Sequence, residues 1–513
     1  MRSGTVLLVI LGLMSLVPAN AAGFQFEDVV EKARERAGTA YRAPATIPDF
    51  MQNLSYHDYQ SIRFNPDKSL WKDASSRFQV MLVPAGKFYR RPVNLHVVDS
   101  EGVSALEFDK SVFNLPEGEL GKRVPADLGY AGFKLTFPFD GPDIANQFLV
   151  FAGASYFRGV SKDTAFGLSA RGIAVDTGLA SGEQFPDFTD FWLVRPSADS
   201  DSMQVYALLD GPGLTGAYQF TVHPGDKTRV DVKARLFFRN NLELMGIAPL
   251  TSMFFYGENT PRPSGEWRPQ VHDSDGLLIH DGATGEWLWR PLINPARLAM
   301  SFHHTGRVAG FGLLQRDTEF RHFEDLEARY ERRPSAWVST GEDWGKGNVV
   351  LVEIPTGDET NDNIVAFWSP ETPVEAGSER AFEYSLSFGG PDVVDHPGGK
   401  VMNTFVGAGD RIGGGTEAGA FRILVDFAGG KLDDLKPDAP VVSKVSGSEG
   451  VEVIEHFVEW VEPANLWRMS ILARPQADQV LQLRGYLSVG DEAATETWSY
   501  SLPPGTGLRA QGR

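Results

Sequence analysis

Cysteine is missing from the sequence altogether. That removes disulfides, thiolate metal sites and cysteine nucleophiles together, so a chain of 513 residues must be held by ordinary packing. Positive charge is scarce. The 48 lysines and arginines stand against 67 aspartates and glutamates, a net −19, which opposes nucleic acid, whose binding needs a basic face. Long apolar runs are lacking too. The run from Val6 to Val17 in "MRSGTVLLVILGLMSLVPANAAGF" covers about a dozen residues where a bilayer span needs roughly 20. With Arg2 before it and Ala19 and Ala21 at the spacing signal peptidase reads, it is expected to be a Sec signal peptide over residues 1–22. No Arg-Arg pair suggests twin-arginine export and no cysteine follows to accept a lipid. A periplasmic protein with no membrane span after cleavage is the expectation.

Several catalytic signatures are also absent. No GxSxG elbow, HExxH helix, Walker loop or EF-hand pattern occurs, so the standard acyl-transfer, zinc-protease and nucleotide chemistries have no foothold. "VHDSDG" resembles part of a calcium loop without its remaining ligands. The adjacent His303 and His304 would point to opposite sides of a strand. "GAGDRIGGG" lacks the GxGxxG spacing and reads as a loop. Nothing calls for a metal or a cofactor.

What is present is mostly β-patterned. "FEDVVEKARERAG" places Phe26, Val29, Val30, Ala33 and Ala37 on one helical face, with acids early, arginines late and Gly38 as the stop. "IPDFMQNLSYHDYQSIRF" offers one or two further helical turns. From about residue 75 to 389, short alternating runs broken by Gly, Pro, Asn and Asp predict strands. In "TRVDVKARLFFR" the buried set is Val230, Val232, Ala234, Leu236 and Phe238. "FEDLEARYERR" is the clearest predicted helical interruption. The length suits a large antiparallel sandwich. Proline and glycine crowd residues 390–399, a predicted linker. Strands at "FRILVDF", "VEVIEHFVEW", "LWRMSILAR", "LQLRGYLSV" and "TWSYSLP" then predict a smaller immunoglobulin-like sandwich over 400–513. The expected domains are thus residues 23–389 and 400–513.

The candidate chemistry lies in carboxylates and aromatics. The chain has 11 tryptophans, 13 tyrosines and 34 phenylalanines, many beside polar residues. Sugar rings stack on aromatic planes while their hydroxyls need acids, amides and arginines, so Trp287 and Trp289 in "GEWLWRP" and Arg333 and Trp337 in "RRPSAWV" are candidate carbohydrate-binding residues. The same aromatics would equally serve the core of a large sandwich. Glycoside cleavage needs a carboxylic acid and a carboxylate. Asp273 and Asp275 in "VHDSDG" and Asp358, Glu359 and Asp362 in "GDETNDNIVAFW" sit in suitably polar loops, where a turn or capping role is the alternative. Asn361 and Asn363 flank Asp362 with neutral groups, leaving room for the raised pKa of a general acid.

Those segments, with "LGYAGFKLTFPF", "ASYFRGVSKDTAFGLSARGIAVDTG", "SGEQFPDFTDFWLVRP", "APLTSMFFYGEN" and "GFGLLQRDTEFRHFEDLEARYERRPSAWV", resemble the OpgG/OpgD (MdoG/MdoD) family of periplasmic glucan biosynthesis proteins. The resemblance runs from about residue 24 to the C-terminus and is densest between 125 and 370. It implies an all-β fold: a large sandwich of galactose-mutarotase-like type with a groove, followed by the immunoglobulin-like sandwich. It implies a role in making osmoregulated periplasmic glucans, with the β-1,2-glucan backbone as ligand and an inverting endo-β-1,2-glucanase or transglycosylase activity. By motif, Asp362 matches the general acid, Asp273 the general base and Tyr330 an aromatic position beside substrate. The Sec-type leader is like that of the G branch. The alternative function is a non-catalytic glucan-binding or assembly factor beside a membrane glucosyltransferase, which is itself a possible partner.

Overall fold

The computed structural model describes residues 23–504 apart from 73, 75, 142, 143, 342, 412, 413, 477 and 478. The expected signal peptide lies outside the described residues. No described helix is long and apolar enough to cross a membrane.

Alternation along the chain becomes sheet. In the strand Thr228–Phe238 every second residue from Val230 to Phe238 is buried, as the period-2 pattern requires. This strand pairs antiparallel with Leu214–His223 on one side and Glu379–Gly389 on the other, inside a 15-stranded sheet. A 10-stranded sheet faces it. Aromatic rings fill the space between. Phe151 and Phe157 of the second sheet meet Phe220 of the first at centroid separations of 5.0 and 5.4 Å, edge to face, and Phe133 meets Phe191 at 5.1 Å. Rings crossed in this way stabilise beyond their buried area. The helix Phe26–Ala37 lays Val29, Val30 and Ala33 on the outer side of the large sheet, against Trp192, Tyr206 and Phe237.

"FEDLEARYERR" does not form the predicted helix. Two 3-10 turns, Phe320–His322 and Tyr330–Arg332, stand there instead. Glu324 and Arg329 have φ of +59° and +49°, which a right-handed helix excludes. Asp325 between them spends its carboxylate on the Glu327 and Ala328 amides and on Arg268.

Residues 390–399 are not a free tether. Val393 is buried, the Gly399 N–H donates to the Ala494 carbonyl at 2.9 Å, and the Gly399 carbonyl accepts the Glu496 N–H at 3.0 Å. Beyond it, a 4-stranded sheet, Lys400–Asp410, Thr416–Ala428, Leu466–Pro475 and Val451–Val461, packs on a second layer that includes Leu481–Val489 and Thr497–Leu502. That second layer continues the 15-stranded sheet: Trp287–Pro291 pairs in parallel with Thr497–Leu502, Leu288 opposite Thr497 and Trp289 opposite Trp498. The core of the C-terminal sandwich accordingly includes Leu278, Trp289, Ile293, Leu314 and Trp337 from the larger unit.

A sheet and a core shared between the two units predict cooperative unfolding. Calorimetry should give a single transition. Trp498→Ala, a truncation of the kind that costs about 3–5 kcal/mol, should lower it as a whole. Two transitions with only one displaced would contradict the shared core.

Candidate functional site

Asp362 and Asp273 come from loops far apart in sequence, and one stretch of backbone joins them. The strand Ile364–Pro370 begins two residues after Asp362, with Ile364 opposite Ser252 in the neighbouring strand. Asn363, fully buried, uses its whole side chain on backbone: Oδ1 accepts the Phe254 N–H at 2.8 Å, and Nδ2 donates to the Phe254 and Ile354 carbonyls at 3.0 Å each. Phe254 in turn pairs with His272 across a short ladder and stacks on its ring at 5.4 Å. The Asp273 N–H donates to the Met253 carbonyl at 2.8 Å. The Met253–Phe254 step thus sets the positions of both carboxylates.

Asp273 is the more enclosed, its side chain 11% exposed against 33% for Asp362. Burial pushes its pKa up. Arg333 and Arg158 oppose that rise, while the nearby Asp362 charge adds to it, so the two acids share one electrostatic site. Arg333 Nε lies 3.2 Å from Asp273 Oδ1 without the alignment of a hydrogen bond, and both atoms are buried with no other partner. A buried carboxylate oxygen left open has acceptor capacity for a water. Arg333 is held from behind by donating to the Phe166 carbonyl.

The partner of Asp362 is Arg158, whose Nη2 is 3.5 Å from Oδ2. This corrects the expectation that flanking amides prepare the acid: Asn363 is spent on the backbone, and Asn361 donates to Asp358 at 3.2 Å. Asp358 itself is an exposed turn residue accepting from Thr360, and hydrogen bonds there hold its pKa below the usual value. Asp275 accepts the backbone N–H groups of Arg316 and Asp317. Glu359 pairs with Arg268 at 2.5 Å. Of the acids in the two loops, Asp273, Asp362 and Glu359 accept no backbone N–H, and Glu359, like Asp273, has a buried oxygen beside an arginine with no hydrogen-bond partner.

Tyr330 is nearly covered, with its ring against Phe323 and the Arg333 guanidinium 5.4 Å above it. It therefore has no free stacking face. Burial, with Glu359 and Asp273 nearby, raises its pKa, so it stays protonated. The three candidate tryptophans are elsewhere. Trp289 and Trp337 are buried in the core shared with the C-terminal sandwich, and the Arg316 guanidinium lies 3.6 Å over the Trp289 ring. Trp287 is stacked by His280 at 4.1 Å and by Trp337 at 5.6 Å. None has a free face for a sugar, because closing the join between the units consumes them.

In the comparisons, a family model described as "Periplasmic glucan biosynthesis protein, MdoG" matches residues 24–502. The chain belongs to this family. It is 41% identical over 502 residues to Glucans biosynthesis protein G of Dickeya dadantii (strain 3937), covering 96% of this chain and 95% of that one. To Glucans biosynthesis protein G of Ralstonia nicotianae (strain ATCC BAA-1114 / GMI1000) it is 42% identical over 506 residues, covering 96% and 99%. Among solved structures, a galactose mutarotase related enzyme from Lactobacillus acidophilus aligns at 8% identity over 52% of this chain and 97% of that one, with a TM-score of 0.24; a likeness that slight carries no argument.

In this MdoG-family chain, sequence reasoning named Arg333 but missed Arg158 and Arg268. Arg158 sits on the strand Tyr156–Gly159 and donates to Ser169 at 2.7 Å. Arg268 gathers Glu266, Asp325 and Glu359 at 2.8, 3.1 and 2.5 Å, tying together the loops around the site. Beside it Trp267 is 63% exposed and supplies an aromatic face that buried Trp289 and Trp337 and the stacked, half-buried Trp287 do not.

The Arg333 contact predicts a titration. Because Arg333 holds the Asp273 pKa down against burial, Arg333→Gln should move the Asp273 midpoint upward, as read by carbon-13 NMR of labelled aspartate carboxyls. A midpoint that stays or falls would show that the guanidinium does not set it.

Proposed function

We propose that this chain remodels the β-1,2-glucan backbone of osmoregulated periplasmic glucans in the periplasm, as an inverting endo-β-1,2-glucanase or transglycosylase. The supporting observation is the pair Asp273 and Asp362, carried on separate loops, braced to the same backbone step and lying within each other's field. In an inverting cleavage, one carboxyl protonates the leaving glycosidic oxygen and the other activates water on the opposite face of the ring. Their separation is then about 6.5–9.5 Å, or more where a water or sugar hydroxyl relays the proton.

Asp362 takes the acid role by its motif and Asp273 the base role. The unpartnered Oδ1 of Asp273 is suited to accept from the attacking water. Arg333, Arg158 and the Tyr330 hydroxyl would bond sugar hydroxyls, and exposed Trp267 would stack on a ring outside the cleavage point. The Arg158 contact and the burial of Asp273 favour a second reading with the roles exchanged. The competing function, glucan binding during assembly beside a membrane glucosyltransferase, would use the same surface without turnover.

The test is incubation of the purified protein with linear β-1,2-glucan, following product length and anomeric form. Shortened or rearranged chains carrying new α-anomeric ends are expected from the wild type. Asp362→Asn and Asp273→Asn should each lower the rate by about 100- to 10,000-fold while retaining binding. A substrate with an activated leaving group should restore the variant that lacks the acid and leave the other inactive, which separates the two role assignments. Binding without any turnover in the wild type would favour the assembly role.

A further inference from the structure

The larger unit carries both candidate carboxylates, yet one side of the site is built onto the C-terminal sandwich. At the end of the strand Val308–Leu314, consecutive residues reach in two directions. Toward the site, the Leu314 carbonyl accepts the Asp275 N–H at 2.8 Å. Gln315 Nε2 donates to the His272 carbonyl at 3.2 Å and to the Tyr330 carbonyl at 3.1 Å, and its Oε1 is 3.0 Å from His272 Nδ1. The Arg316 N–H donates to the Asp275 carboxylate. These contacts hold the residues on both sides of Asp273 and the backbone of Tyr330.

Away from the site, the Arg316 side chain crosses the join. Its Nη1 and Nη2 donate to the two carboxylate oxygens of Glu496 at 2.5 and 3.0 Å, and Nη1 also donates to the Val401 carbonyl at 2.8 Å. Glu496 is fully buried and accepts the Val401 N–H at 2.7 Å as well. The guanidinium also lies 3.6 Å over the Trp289 ring, so both its edge and one face are held. A second crossing runs in parallel, where the Thr404 N–H donates to Glu258 at 3.1 Å.

A buried bidentate ion pair is poor evidence for stability, because desolvation offsets its attraction. Its geometric value is high: the planar fork accepts only one arrangement of its partner. We propose that Arg316 and Glu496 are positioning residues, through which the C-terminal sandwich holds the Asp273 and Tyr330 side of the site, so that turnover depends on that sandwich. This rests on the reading of Asp273 as a catalytic carboxyl. It assigns the second domain a mechanical task in the reaction rather than a separate ligand.

Full-length Glu496→Gln and Arg316→Lys test it on linear β-1,2-glucan. Displacing a reacting group by about 1 Å can cost on the order of 100-fold in rate without loosening ground-state binding. Both variants are therefore expected to lose about 10-fold or more in kcat with KM held within about twofold. Arg468→Gln is the control. It breaks a bidentate pair with Asp426, at 2.6 and 2.8 Å, within the outer sheet of the same sandwich, and should leave kcat unchanged. Where Glu496→Gln fails to fold, Arg316→Lys, which keeps the charge, carries the comparison alone. Folded variants with wild-type kcat would overturn the proposal, as would an equal loss in Arg468→Gln, which would mark a general effect of destabilising the sandwich. If Asp273→Asn itself keeps full activity, the underlying reading fails instead, and the two failures are told apart.

Discussion

The site depends on a brace made by one amide side chain. Asn363 bonds both the N–H and the carbonyl of Phe254 and also the carbonyl of Ile354, imitating a strand partner where the regular ladder has ended. Because Phe254 is also paired with His272, the brace links the residue directly after Asp362 to the residue directly before Asp273. A loop carboxylate would otherwise wander over several ångströms. Leaving buried backbone donors and acceptors unpaired costs about 1–3 kcal/mol each, and that penalty keeps Asn363 in its one productive orientation and the two acids at a fixed spacing.

Around the brace, most acids are held by backbone amides or arginines, and the two candidate carboxyls are held less closely. Asp275, Asp325 and Asp358 accept backbone amides, and Glu359 and Glu496 are paired with arginines. Asp273 keeps an oxygen without a hydrogen-bond donor, and Asp362 has only a long contact to Arg158. Unsatisfied buried polar atoms are rare and costly in folded proteins, and the facing pair at Asp273 and Arg333 fits a site that completes its hydrogen bonds with a ligand. The energy to hold it comes from the aromatic core between the sheets and from the shared core at the join.

Much of the fold was legible in the amino-acid order because strand burial has a period of two and the first helix has a clean apolar face. Val230 to Phe238 and Val29, Val30 and Ala33 behave as their spacing predicts. "FEDLEARYERR" misled because helical periodicity carries no information about Glu324 and Arg329 being held at positive φ, nor about Asp325 being drawn to Arg268. The carboxylates were singled out by motif, but their environment was not. Asn363 was read as a neighbour of Asp362 when it is a brace for Phe254, since sequence adjacency does not say where a side chain points. Likewise Trp287, Trp289 and Trp337 carry the composition of a sugar platform, yet the pairing of Trp289 with Trp498 across the join puts them inside. Arg158 and Arg268 gave no local signal because the partners that tie them to the site, Asp362 for the first and Asp325 and Glu359 for the second, lie far away along the chain.

The central claim is that Asp273 and Asp362 flank one glucan chain. A crystal structure of Asp362→Asn with bound linear β-1,2-glucan tests it most directly. The account predicts a sugar unit between residue 362 and Asp273, with Arg333, Arg158 and the Tyr330 hydroxyl on its hydroxyls and a water beside Asp273. Glucan bound away from this pair, with the two side chains facing empty solvent, would contradict it.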